Sequence, residues 1–275
     1  MNATGIRDTT DDYTDRTGQH AMDTRHTTAD TGARGTRSAP TAASRARAVN
    51  RMNLRQWMLT VMPWGIILVV TGAHAAVLAI VRAQGVAIPE DSTNGVVSTV
   101  LFFAVAMFAS MTTQHFPFAL GLGTTRRDFY AGTVVTAVLI GAVNAALLLI
   151  LAQIERATDG LGVQLQVASI VLHVTENRVL LFFGITLVTA AFAAIGMLAG
   201  VIYLRWRANG VFSAALAIAI AAAAAALLIT WQRGWPAVGR FFTDTPLAAL
   251  LLGVPAVAAA VIFGGGYRMM RTVEV

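Results

Sequence analysis

"YAGTVVTAVLIGAVNAALLLILAQI", residues 130–154, carries no charged side chain. As a helix rising 1.5 Å per residue it covers about 37 Å, more than the roughly 30 Å hydrocarbon layer of a bilayer. Five further runs read the same way: 56–81, 95–113, 179–203, 210–231 and 247–264. Hydrophobic residues make up 56% of the chain and charged residues 12%. A soluble domain carries about a quarter charged residues. The expectation is an all-α, polytopic membrane protein with six transmembrane helices.

All 20 basic residues are arginine. Without lysine the chain has neither a Walker A phosphate loop nor a Schiff-base nucleophile. Without cysteine it has no disulfide framework, thiolate metal site or catalytic thiol. The formal charge of +6 fits arginines flanking spans better than nucleic-acid binding.

Arginines near span ends also set the orientation. With the N-terminus inside, Arg45, Arg47, Arg51, Arg55, Arg126, Arg127, Arg205, Arg207, Arg268 and Arg271 are cytoplasmic. Arg82, Arg156, Arg178, Arg233 and Arg240 fall outside, a set about half as large. Six spans then place both termini in the cytoplasm.

Residues 1–51 have no sustained apolar period and read as a disordered cytoplasmic tail. It is either a regulatory or partner-binding arm, or it precedes a true start at Met52. Its late arginines suit anionic lipid. No signal peptide is read, because the first apolar run starts late and is too long. Residues 52–275 form the six-helix domain. Between spans, "GVQLQVASIVLH" (162–173) is expected to lie along the outer surface as an interfacial helix. Trp231, Trp235, Phe241 and Phe242 fit a membrane-interface belt, with a shallow re-entrant turn as the alternative.

Small residues mark close helix packing: Gly196 and Gly200 as a GxxxG pair, Gly141 with Ala145, and the alanines of 221–226. Packing within the chain is favoured over a dimer interface. Intramembrane polar residues are His74, Asn144, Thr186 and Thr189. No carboxylate or arginine falls clearly within a span, which disfavours an ion-coupled carrier or a voltage sensor. His173 and Glu176 have H-x-x-E spacing without a second histidine nearby, too few ligands for a metal. Ser98, Ser110, Ser169 and Ser213 lack a G-x-S-x-G context. No enzyme signature and no cofactor site is read.

This leaves "FPFALGLGTTRRDFYAGT", residues 116–133. Pro117 suits the first turn of a short helix. Gly121 and Gly123 suit that helix's end. Thr125 is placed to cap the next helix, with Asp128 as the acidic partner of a capping box. Phe116, Phe118 and Leu120 are expected at the membrane surface, and Arg126 and Arg127 in the cytoplasm.

The segment resembles the loop after the second span in permease-like membrane subunits of bacterial ABC transporters of the exporter type. Their phrase F-x-L-G-x-T-R-R-x-F-x-x-G is matched by Phe118, Leu120, Gly121, Thr125, Arg126, Arg127, Phe129 and Gly132, with Gly123 and Thr124 in the turn. The resemblance implies a multi-pass protein of the bacterial inner membrane. It implies docking of a cytoplasmic ATP-binding-cassette subunit on this loop, and ATP bound by that partner. It also implies a homodimer or heterodimer of permease subunits. Phe116, Phe118, Leu120, Gly121, Gly123, Thr125, Arg126, Arg127, Asp128 and Phe129 form the expected docking element. The alternatives are a non-transporting six-span protein (immunity, sensor or assembly scaffold) and, third, a secondary carrier or intramembrane enzyme.

Overall fold

In a computed structural model, residues 47–49, 51, 57–86 and 95–272 are described. They lie within the contact unit Thr41–Val275. The described elements are helical: α1 (Trp57–Ala83), α2 (Val96–Gly121), α3 (Arg126–Ala157), α4 (Arg178–Trp231), α5 (Trp235–Asp244) and α6 (Val254–Met270). A π turn over Ala249–Gly253 leads into α6, and short turns over Gly160–Gln164 and Ser169–His173 join α3 to α4. Five helical segments are long and apolar enough to cross a membrane: Val61–Ala83, Val96–Gly121, Arg126–Ala157, Arg178–Trp231 and Ala249–Met270. The expected spans 179–203 and 210–231 both fall in α4, whose 54 residues are two helices meeting at a break at Arg207.

The centre of the bundle is α4, in its part before Arg207, packed on α2, α3 and α6. Lipid gives apolar helices no hydrophobic reason to associate, so backbone proximity and dispersion must do it. Glycines supply that proximity. A Cβ on Gly141 would come within 2.7 Å of the Thr186 carbonyl oxygen. One on Gly200 would lie 2.6 Å from Thr112 Cβ and 2.9 Å from Ala109 O. One on Gly196 would overlap the Val105 carbonyl. The GxxxG pair therefore packs against α2 of the same chain.

The same contacts fix helix directions. Val105 meets Gly196 and Thr112 meets Gly200, so α2 and this part of α4 run parallel. Leu251 meets Gly184 and Gly266 meets Leu198, so α6 runs with them. α3 runs the other way, because Gly141 meets Thr186 while Tyr130 meets Gly266. α1 follows α3, joined by Trp64 to Asn144 near one level and Arg82 to Gly162 at another.

Two clusters fill the interior. One holds Phe108, Met111, Phe116, Phe129, Met197 and Met270; the other holds Trp64, Ile67, Leu148, Leu165, Val167 and Leu181. The expected tail falls outside the described residues except at 47–49 and 51, which are helical. Val49 is buried within the first cluster.

One local feature differs from expectation and two more stand out. Pro117 does not open a separate short helix; it lies inside α2. The lost N–H leaves one carbonyl unpaired by the ladder, while Phe116 and Ala119, both buried, hold that turn in the bundle. Second, α4 is interrupted at one residue: Arg207 sits at φ 58, ψ −156, a region nearly reserved for glycine. A Cβ on Gly210 would overlap Trp206 Cβ, whereas Cβ atoms four residues apart on a helix stand about 5–6 Å apart. The chain bends sharply there. Third, most side chains of 208–231 and of α5 are left uncovered by the rest of the described chain.

Gly196→Ala is expected to lower stability by about 1–3 kcal/mol through overpacking against α2. Gly72→Ala, with nothing near its added methyl, is expected to be neutral or to stabilise by up to about 1 kcal/mol. Thermal unfolding of both variants in one detergent checks the contrast. Equal melting temperatures would remove the close-approach account.

Candidate functional site

The segment joining α2 to α3 is built from two local motifs. At the end of α2 the Gly123 N–H donates to Leu120 O at 2.9 Å and the Thr124 N–H to Ala119 O at 3.0 Å. Gly123 has φ +79. These two bonds around a left-handed residue form a Schellman cap, which satisfies carbonyls the helix leaves over. Immediately afterwards Thr125 takes extended backbone, and its hydroxyl accepts from the Asp128 N–H at 3.1 Å. That is the N-cap of α3 read from the sequence. Only the residues from Leu122 to Thr125 separate one helix from the next.

Long-range bonds tie this turn to the end of the chain. The Arg126 guanidinium donates to Met270 O at 3.3 Å and to Arg271 O at 3.1 Å. A cation there satisfies terminal carbonyls and complements the negative end of the α6 dipole. One turn deeper, the Tyr130 hydroxyl donates to Phe263 O at 2.7 Å. Its ring lies against Phe263 and Tyr267. Gly266 permits this approach, since a Cβ there would lie 2.8 Å from the Tyr130 oxygen. Arg205 donates to the Thr272 hydroxyl at 2.6 Å and lies over the Trp206 ring. The α2–α3 turn, the Arg207 bend and the C-terminal turn of α6 therefore share one end of the bundle. Arg126, Arg127, Arg205, Arg207, Arg268 and Arg271 cluster there.

The residues singled out in this segment divide into two groups. Phe116 and Phe129 are fully buried, with ring centroids 5.3 Å apart, and Asp128 is buried beside them in sequence. Arg126 is half-buried in its clamp. Leu120 is half-buried, packed against the core. Phe118, Gly121, Gly123, Thr125 and Arg127 face outward, as does Leu122, which the sequence reading passed over. Phe118 is 60% exposed and Leu122 68%. Buried members support the segment, and outward ones form its surface.

Several polar residues inside the spans are satisfied within the chain, while the buried Gln153 Nε2 has no partner among the described residues. Asn144 Oδ1 accepts from Trp64 Nε1 at 3.0 Å. Thr186 and Thr189 donate to the carbonyls of Phe182 and Ile185. Such bonds one turn back are how hydroxyls are satisfied within a helix. His74 is half-buried in α1. Among the described residues no group of three His, Asp or Glu side chains comes together.

The opposite end of the bundle holds a residue that sequence reading missed. Glu155, in the last turn of α3, is 2% exposed. Its carboxylate accepts from the backbone N–H groups of Val167 and Ala168, both at 2.8 Å, and of Ser169 at 3.2 Å. The Ser169 hydroxyl donates to it as well. Charge-assisted bonds of this kind are roughly twice as strong as neutral ones. They draw 165–172 into the bundle, where Leu165, Val167, Ala168 and Leu172 are buried. The segment therefore does not lie along the surface as expected; it plugs the end of the bundle. Its sequence signal was a carboxylate at the end of an apolar run, followed about a dozen residues later by small and β-branched residues.

No family model, no curated protein and no solved structure matches the chain.

Glu155→Gln keeps the shape but removes the charge and replaces one acceptor oxygen with a donor. It is expected to cost about 2–3 kcal/mol and to raise proteolytic cleavage in 160–175 well before global unfolding. Tyr130→Phe removes one hydrogen bond and should cost about 1 kcal/mol. Protection of α6 amides near Phe263 in hydrogen exchange should fall with it, while α1 is unaffected.

Proposed function

We propose that the chain is the membrane subunit of an ATP-driven exporter of the ABC type, coupled to a separate ATP-binding subunit at the arginine-bearing end. One observation carries the reading. The α2–α3 turn is fixed by a cap on each side and by the Arg126 clamp, yet it presents Phe118, Leu122 and Arg127 outward. A rigid turn with an apolar and cationic surface suits a partner that pushes on it. Its tie to the end of α6, which Arg205 joins from beside the bend, would pass the displacement into the bundle. The mechanism is conformational, and the ATP chemistry belongs to the partner. A pair of such chains, identical or related, would complete the transporter in the bacterial inner membrane.

The reading includes six crossings, with both termini and this end in the cytoplasm. Geometry supports the count. Leu251 packs at Gly184, about 33 Å down the helix from Trp206. A straight continuation past Arg207 would carry Trp231 about 37 Å the other way. The intervening residues include the ten of α5, and fully extended elsewhere they reach only about 50 Å. A return of residues 208–231 past the bundle fits these lengths better than a straight continuation. The concentration of arginine at the clamp end supports the orientation.

A non-transporting scaffold is favoured by a different observation. Asn144, Thr133, Thr136, Thr186 and Thr189 are tied to their own backbone or to a neighbouring helix, which leaves few polar groups free for a cargo.

Two measurements test the proposal. The chain lacks cysteine, so Asn209→Cys and Gly239→Cys report side without background. An impermeant thiol reagent should label position 209 from the cytoplasm and position 239 from outside; labelling from one side would remove the sixth crossing. Purification in mild detergent should also retain an ATPase carrying a Walker A lysine. Phe118→Glu with Arg127→Glu should abolish that retention with insertion unchanged. A stable complex without an ATPase would favour the scaffold.

A further inference from the structure

We infer that the chain holds a phospholipid by one acyl chain, in an apolar cavity beneath the Glu155 plug. The cavity has a volume of about 170 Å³ and lies between α2, the start of α4 and the turn before α6. Its walls include Val97, Leu101, Ile185, Val188 and Leu251, and its lining is wholly apolar. These five are half-buried rather than enclosed, so the cavity opens on the flank of the bundle. Val171, from the segment that Glu155 pulls inward, and Val174, just after it, line the side nearest the plug.

The occupant follows from what can fill such a space. Water needs two to four polar partners, and the lining offers none. An empty void forfeits the dispersion contacts of every atom facing it. At the depth of membrane-spanning helices, beside an open flank, the available filler is hydrocarbon. A cavity of about 150 Å³ accepts a benzene ring, so this one takes a stretch of about six acyl carbons.

Polar residues that flank the lining residues in sequence select a phospholipid over a bare alkane. His173 lies between these two valines, and Arg178 lies one turn before Leu181, which also lines the cavity. Both are exposed, and neither side chain bonds to another described residue. A guanidinium there is placed for the phosphate of a lipid whose tail enters below. Glu176 stands in the same short stretch and offsets that positive charge, which matches a zwitterionic head better than an anionic one.

The test uses the full chain purified from membranes and probed by native mass spectrometry with phosphatidylethanolamine and phosphatidylglycerol. Bound phosphatidylethanolamine should survive detergent removal and exceed phosphatidylglycerol. Val188→Phe fills the cavity from α4 and should lower retention at least about fivefold. Arg178→Gln should lower it in the same direction. Val97→Phe fills the cavity from α2 and serves if the first variant does not accumulate. A phosphatidylethanolamine carrying a diazirine at the tail end should crosslink within 171–188. Equal retention by wild type and both filled variants would overturn the inference, as would crosslinks confined to 208–231. Loss of phospholipid with retention of free fatty acid alone would overturn the head-group assignment. None of these readouts depends on an ATPase.

Discussion

The fold rests on the approach of α4 to the backbones of α2 and α3 at Gly141, Gly196 and Gly200. In lipid, apolar side chains gain nothing by meeting each other rather than acyl chains. Association then depends on how closely two backbones can come. Three glycines at that seam let carbonyl oxygens sit where a methyl group would otherwise be. Everything at the two ends of the bundle hangs on the register this seam imposes. Moving α4 by one turn would separate Gly184 from Leu251 and Arg205 from the Thr272 hydroxyl.

The two ends use polar chemistry in different ways. At one, Arg126 and Tyr130 reach carbonyls at or near the C-terminal end of α6, joining residues more than 130 positions apart. At the other, the Glu155 carboxylate gathers four donors from a segment about a dozen residues on. Each arrangement fixes a connection that would otherwise be loose. Neither places an unpaired charge among the lipids, where the cost would be several kcal/mol. The stretch from Arg207 through α5 has no comparable ties, and its strained break stands where the packed and unpacked parts of the chain meet.

The membrane class, the apolar runs and the local caps were legible in the sequence because each depends on neighbours along the chain. Thr125 caps α3 whatever lies across the bundle, and Gly123 ends α2 because only its own φ matters. The partition of the 116–129 segment was not legible. Phe116 and Phe118 have the same side chain and sit two residues apart, yet one is buried and the other faces out. Arg126 and Arg127 read alike as topology signals, yet one is bound to α6. Helical phase separates each pair, and the phase depended on Pro117 lying within α2 rather than opening a new helix.

Sequence alone determined that this chain carries several helices long and apolar enough to cross a membrane, and where the caps at Gly123 and Thr125 fall. These follow from transfer of apolar side chains out of water and from residue-level backbone preferences. Tertiary structure alone decided that Glu155 is a structural anchor, that Val49 belongs to the core, and that Arg126 is occupied. It also decided that 165–172 folds inward. Those outcomes depend on which distant donors and carbonyls meet. That is set by helix register at the glycine seam, a property no window of sequence contains.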